Sequence, residues 1–198
     1  MSSGAPVVGG IVLAAGGGSR FGGTKQLAEL GGRPLLSYAL AAVAVLEPRV
    51  VVLGHEAQAI LAAVSLQGTR PVVCDDWQEG QSASLRAGIE ALGDVDAAVV
   101  VLGDQPRITA AAVSAVAAAA GPAGGGAAPR GVAAARASYD GRPGHPVLLG
   151  RALLARAIEL RGDVGFREIL RGEDVREVEV GGLADPVDID TREELARL

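Results

Sequence analysis

The sequence predicts an α/β protein in three layers, with a mostly parallel sheet carrying helices on both faces. Three observations point there. Short, wholly apolar runs recur along the chain, as expected of strands buried on both sides. Each is followed by a stretch with helical spacing, and such alternation builds parallel sheets. The apolar 49% of the chain is mostly Ala and aliphatic residues, with only 3% aromatics and 29 Gly, which suits helices laid closely on a sheet. At 198 residues, a single domain spanning 1–198 is expected.

The elements follow in order. Val7 to Ala14 is an apolar run ending in a glycine cluster, hence a strand giving way to a loop. Pro34 suits a helix start, and Leu35, Leu36, Leu40 and Val43 recur at helical spacing up to Leu46, before Pro48. Arg49–Leu53 reads as a strand, Ala57–Val64 as a helix and Pro71–Cys74 as a strand. A helix over Ser82–Leu92 and a strand over Ala97–Leu102 come next, and Thr109 caps an Ala-rich helix. Gly121–Ala128, almost all Gly, Ala and Pro, is a surface loop. Val132–Tyr139 and His145–Leu149 read as strands around the turn Asp140–Gly144, with a helix over Arg151–Leu160. Val175–Val180 alternates as a half-exposed strand, and Thr191-x-x-Glu194 caps a terminal helix.

Composition excludes several functions. There are 18 Lys and Arg against 23 Asp and Glu, for a formal net charge of −5, and no basic run offers a nucleic-acid face. One Cys and two His cannot build a Cys/His zinc site, and the lone Cys74 fits a reducing compartment. No stretch reaches the roughly 18 apolar residues of a membrane span, and the N-terminus lacks a basic n-region, so a cytoplasmic protein is expected.

The loop after the first strand carries the chemistry. It reads Leu13, Ala14, Ala15, Gly16, Gly17, Gly18, Ser19, Arg20, Phe21, Gly22, Gly23, Thr24, Lys25. Glycines let backbone N–H groups converge on an anion, and Arg20 and Lys25 supply charge for several phosphate oxygens, which suggests a nucleoside triphosphate. The dinucleotide fingerprint fails, because from Gly16 its last glycine falls on Phe21. The P-loop nearly fits over Gly18–Gly23, but Thr24-Lys25 inverts the required Lys-Ser/Thr order. The plainer reading is a glycine loop with solvated charges.

The pattern Leu-Ala-Ala-Gly-x-Gly-x-Arg-x-Gly-x-x-Lys over residues 13–25 resembles the signature loop of nucleotidyltransferases with a Rossmann-like nucleotide-diphospho-sugar transferase fold. Within these it is most similar to the molybdenum cofactor (molybdopterin) cytidylyltransferases. Similar matches are Lys25-Gln26-Leu27, Gly32-x-Pro34-Leu35, Trp77-x-x-Gly80-x-x-x-Ser84-Leu85, Leu102-Gly103-Asp104-Gln105-Pro106, Gly144-His145-Pro146, Gly162-Asp163-x-Gly165-x-Arg167 and Asp188-Ile189-Asp190-Thr191. The resemblance implies transfer of CMP from CTP to molybdenum-bearing molybdopterin, with pyrophosphate leaving. That displacement depends on positioning and charge neutralisation.

By the same resemblance, residues 14–19 hold base and phosphates, Arg20 meets the β- and γ-phosphates, and Lys25 lies near the α-phosphate. Asp104 ends a buried strand, where open parallel sheets place ligands, and with Asp188 is the implied Mg2+ pair. Asp185 and Asp190 compete for the second place. Gly80 and Ser84 are implied nucleotide contacts, while Ser82 suits a helix cap. His145 and Asp163 are implied to face the acceptor, near Phe166, which stands where the group often has Ala. Trp77 suits the cleft and a core edge equally. Asp75 and Asp76 are turn residues beside the pocket, and His55 and Cys74 are read as structural.

The implied partners are CTP or another nucleoside triphosphate, a phosphorylated acceptor such as molybdopterin, and transient contact with a molybdenum hydroxylase or its chaperone. Leu13-Ala14-Ala15-Gly16 leans toward CTP, since guanylyl-type relatives tend toward Ala-Gly-Gly there. The alternatives are a guanylyltransferase or cytidylyltransferase of the same fold acting on another phosphorylated acceptor, and a carrier that binds nucleotide or cofactor without turnover. A carrier has no need for charge gathered at the α-phosphate.

Overall fold

The computed structural model describes residues 5–121, 132–162 and 165–198. The first apolar run is β1 (Val8–Ala14). A single 3-10 turn at Lys25–Leu27 leads into a small hairpin of β2 (Glu29–Leu30) and β3 (Arg33–Pro34), then α1 (Leu36–Ala42). The alternation continues with β4 (Arg49–Leu53), α2 (Ala57–Ala63), β5 (Arg70–Val73), α3 (Gln81–Leu92), β6 (Ala97–Leu102) and α4 (Ala110–Ala117). Then come β7 (Ala134–Tyr139), β8 (Arg142–Gly150), α5 (Arg151–Glu159), α6 (Phe166–Ile169), β9 (Val175–Glu179) and α7 (Arg192–Leu195).

Seven strands form one sheet in the order β5-β4-β1-β6-β8-β7-β9. Only β8 runs against its neighbours; every other pairing is parallel. Side chains of β1 alternate between two cores. Val12 and Ala14 join Leu36 and Leu40 of α1, Ile60 of α2 and Val113 of α4, while Ile11 and Leu13 join Leu85 and Ile89 of α3 and Leu153 of α5. The expected layers, with helices on both faces, are therefore present. The scarcity of large side chains follows from how close the layers lie. A Cβ on Gly88 of α3 would come within 2.8 Å of Ile11 on β1, so only glycine lets this helix settle on the sheet.

Several boundaries differ from expectation for identifiable reasons. Pro34 does not start α1; it pairs with Glu29 in the small hairpin, and its carbonyl accepts from the Ser37 hydroxyl at 2.6 Å just inside the helix. The five-residue turn expected at 140–144 contracts to Asp140-Gly141, both at positive φ (51° and 78°), the conformation of a type I′ hairpin turn. Pro143 and Gly144 consequently lie within β8, accommodated by an irregularity opposite Arg136/Ala137. Ser82 does not cap α3: Gly80 occupies that position, and the Ser82 hydroxyl donates to the Gly162 carbonyl instead. The short helix α6 has too few turns to leave a periodic signal. Residues 122–128 of the Gly/Ala stretch lie outside the described residues. Among the described residues, no helix is long and apolar enough to cross a membrane.

The caps read at Thr109 and Thr191 form. Thr109 Oγ1 accepts from the Ala112 N–H at 3.2 Å. Thr191 and Glu194 make a full capping box on α7, in which the Glu194 carboxylate also accepts from the Asp190 N–H at 2.8 Å. Thr191→Ala is expected to cost about 1 kcal/mol, lowering the melting temperature by about 2–4 °C in a thermal scan.

Candidate active site

Three segments far apart in sequence meet at the C-terminal ends of β1 and β6. The first is the loop after β1. Gln26, 3% exposed, turns its amide back to donate to the carbonyls of Ala14 and Gly16 at 2.8 and 2.9 Å, pinning the loop's origin. Gly18 adopts φ +58°, and the Phe21 N–H closes the turn onto its carbonyl at 2.9 Å. A side chain at Gly18 would be strained there and would meet the Gly23 carbonyl at 3.0 Å.

The second segment is the end of β6, where Gly103-Asp104-Gln105 leaves the sheet. The third is Asp188-Ile189-Asp190. Ile189 is fully buried with Phe21 and Leu35 in a small third core, so the acids on either side of it are carried to the site. Its N–H donates to the Asp104 carbonyl at 3.0 Å.

Lys25 stands at the junction. Its Nζ lies 2.6 Å from Asp104 Oδ2, 3.2 Å from Asp190 Oδ1 and 3.3 Å from the Ile189 carbonyl. Its side chain is 12% exposed and that of Asp104 22%. Burial alone pulls the ammonium pKa down, but Asp104 and Asp190 outweigh it and hold the value above the ordinary lysine one. Lys25 therefore stays charged. Arg20 is largely exposed and reaches Asp190 Oδ2 at 3.4 Å.

The three acids left open by sequence separate here. Asp185 is diverted to Arg107 at 3.1 Å. Asp190 is taken by Lys25 and Arg20. Asp188 accepts from the Gln105 amide at 2.8 Å, and burial raises its carboxyl pKa, as do the charges of Asp104 and Asp190, with Gln105 and Lys25 opposing. Asp104 Oδ1 is buried and has no hydrogen-bond partner among the described residues. The carboxylates of Asp104 and Asp188 are thus close enough to feel one another, and neither is fully neutralised. Among the described residues, no three acids, histidines or cysteines cluster as a self-sufficient metal cage. Two protein carboxylates with phosphate and water oxygens nevertheless match the usual coordination of Mg2+.

Two cavities adjoin this centre. One of about 120 Å3 is lined by Ala14, Gly16, Gly18, Lys25 and Asp104. The other, about 360 Å3, lies between Leu13, Ala15 and Gly16 on one side and Trp77, Gly80 and Ser84 on the other. Trp77 lines this cleft and also packs edge-on against His55, ring centroids 5.6 Å apart. Of the loop residues, Gly17 approaches Trp77 and His55, while Ser19 is exposed and lines neither cavity. Asp104, Lys25, Arg20, Asp188, Gly80 and Ser84 are thus gathered. His145 lies further out, bordering a cavity of about 820 Å3 that also touches Asp188 and Gln105. Asp163 lies outside the described residues. Gln26 and Gln105, which hold the loop and Asp188, were visible in sequence only as polar residues inside two motifs.

The family described as MobA-like NTP transferase domain matches residues 10–179. The chain is 34% identical to nicotine blue oxidoreductase of Paenarthrobacter nicotinovorans, covering 98% of this chain and 97% of that protein. It is similar to the solved structure of Rv0371c from Mycobacterium tuberculosis H37Rv, at 31% identity and TM-score 0.83, covering 98% of this chain and 97% of that one. The structure of Rv0371c complexed with manganese aligns at 30% identity and TM-score 0.78, over 96% and 97% of the two chains. With a glycine-rich loop, a lysine, the Asp104 carboxylate and the acids around Ile189 brought together at the C-terminal ends of the central strands, and a family match over most of its length, the chain belongs to the MobA-like NTP transferase family.

Proposed function

We propose that the protein is a magnesium-dependent cytidylyltransferase that moves CMP from CTP onto molybdopterin carrying molybdenum, forming molybdopterin cytosine dinucleotide and pyrophosphate. The observation that carries this reading is Lys25, whose ammonium sits between Asp104 and Asp190 beside the glycine-rich loop, with Asp104 Oδ1 buried and unpartnered. An acceptor phosphate oxygen attacks the α-phosphorus of CTP, and the bond from that phosphorus to the β-bridging oxygen breaks. Lys25 and Arg20 neutralise charge that grows on the α-phosphate and the leaving pyrophosphate. The loop from Ala14 to Ser19 orients base and phosphates through backbone N–H groups. Asp104 and Asp188 would hold the divalent ion, which supplies Lewis-acid neutralisation of phosphate oxygens; the manganese in the Rv0371c complex supports a divalent ion here. Gln105 fixes Asp188 for that role. Gly80 and Ser84 contact the nucleotide from the far wall, while His145 and Asp163 face the acceptor.

The choice of CTP is supported by Leu13-Ala14-Ala15-Gly16, which resembles the cytidylyl-type loop. Competition between CTP and GTP, with products identified by mass spectrometry after incubation with molybdopterin, tests it. Preferred turnover of CTP is expected; preferred turnover of GTP would sink the base assignment and leave the fold intact. A second reading, an oxidoreductase, is favoured by the likeness to nicotine blue oxidoreductase along nearly the whole of both chains. A dinucleotide cofactor would offer the same loop a pyrophosphate. The two readings part in one assay: pyrophosphate released from CTP supports transfer, and consumption of reduced nicotinamide without pyrophosphate supports the second.

A further inference from the structure

We propose that the cavity behind His145, between β8 and α6, receives a second anionic group of the acceptor, an oxyanion or its equivalent at the end remote from the reacting phosphate. The inference rests on the transferase reading and adds a chemical requirement to its acceptor. The cavity has a volume of about 590 Å3. It shares Pro143, Gly144 and His145 with the larger cavity that reaches Asp188, so an elongated ligand with its reacting end beside Asp188 continues past His145 into it.

Two guanidinium groups on this wall keep unused hydrogen-bond donors. Arg136 of β7 holds Glu177 at 2.7 Å through one terminal nitrogen, which leaves its Nε–H buried without a partner. His145 Nε2 is buried and unpartnered as well. Arg167, exposed at the rim, makes no hydrogen bond or ion pair among the described residues. The one acid on this wall, Glu173, is already paired with Arg156.

Buried donors without acceptors are rare in folded proteins, and a guanidinium fork is the side chain best matched to an oxyanion. A cationic ligand would find no free carboxylate among the described residues here. His145 contributes shape and one polar atom without charge, because burial pushes its pKa down to about 4. Its ring is set edge-on to Phe166 at 5.0 Å, and its carbonyl accepts from the Tyr139 hydroxyl at 2.6 Å. The histidine thus separates the reacting end of the groove from the cationic end, and Arg136 and Arg167 act as specificity-determining residues.

The test uses the full chain, labelled with nitrogen-15, and inorganic molybdate as the probe at constant ionic strength. Saturable shifts of the Arg136 and Arg167 Nε–H signals are expected at a shared midpoint. Arg167→Ala, which removes an exposed side chain that is unpaired among the described residues, should weaken the Arg136 response about tenfold, the loss of one charge-assisted contact. No saturable shift, or an Arg136 response unchanged in Arg167→Ala, overturns the proposal. In turnover with CTP and molybdopterin, the same variant should raise the acceptor KM about tenfold while leaving the KM for CTP unchanged. An unchanged acceptor KM also overturns it. Wild-type protein that transfers nothing to molybdopterin overturns the acceptor assignment instead, and the molybdate titration still reads the cavity.

Discussion

Asp104→Ala is expected to lower pyrophosphate release from CTP by about a thousandfold or more, with the protein still folded. The substitution deletes the one carboxylate that both contacts Lys25 at 2.6 Å and has a buried, unpartnered oxygen. Losing a single preorganised charge partner at a transition state commonly costs about 10²–10³-fold, and here it also removes one of the two carboxylates proposed to hold the divalent ion. The folding cost is smaller. Lys25 keeps Asp190 at 3.2 Å and the Ile189 carbonyl at 3.3 Å, so its charge is not stranded. A loss of about 1–2 kcal/mol is expected, below that for breaking a fully buried pair. Steady-state pyrophosphate release and a thermal scan, run on the same preparation, separate the two effects. Turnover like that of the wild type would remove Asp104 from the metal site.

Gly54→Ala is expected to destabilise the protein by about 2–3 kcal/mol and to weaken CTP binding. An added Cβ would lie 2.6 Å from Trp77 Cγ and 2.8 Å from the Ala15 carbonyl oxygen. That carbonyl accepts from the His55 N–H at 3.0 Å, so the backbone it belongs to cannot withdraw freely. Overpacking of this kind costs about 1–3 kcal/mol, equivalent to a fall in melting temperature of about 2–12 °C for a chain of this size. Because Ala15 and Trp77 both line the cleft beside Asp104, the strain reaches the candidate site. Gly16→Ala makes the contrast. Its Cβ would meet nothing within 4 Å, so stability should stay within about 0.5 kcal/mol. A loss of CTP affinity in that variant therefore reports contact with the ligand, and a loss of stability would contradict the geometry.

What could be read from the sequence follows from how local each signal is. β1 and β6 are apolar from end to end, and β4 from Val50 onward, because they lie inside the sheet with helices on both faces, and their runs identify them at once. Asp104 stood out by its place at the end of such a strand. The hairpin of β2 and β3 left no signal, since two-residue strands have no periodicity, and Pro34 was drawn into it by a partner five residues away. The turn at Asp140-Gly141 depended on backbone φ values that a Gly-rich stretch permits without dictating.

By itself the sequence determined the layered α/β architecture, through residues whose burial is set within a few positions, and it placed a glycine-rich loop carrying Arg20 and Lys25 after the first strand. Only the tertiary structure decided which partner each of Asp185, Asp188 and Asp190 takes. That choice turns on the burial of Ile189 beside Phe21 and Leu35, and on Arg107 drawing Asp185 away. Lys25 and Asp190 are 165 positions apart, so their meeting is a property of the folded sheet. Charge in a sequence is only a count; burial and distance give it a partner, and both exist only once the chain has closed on itself.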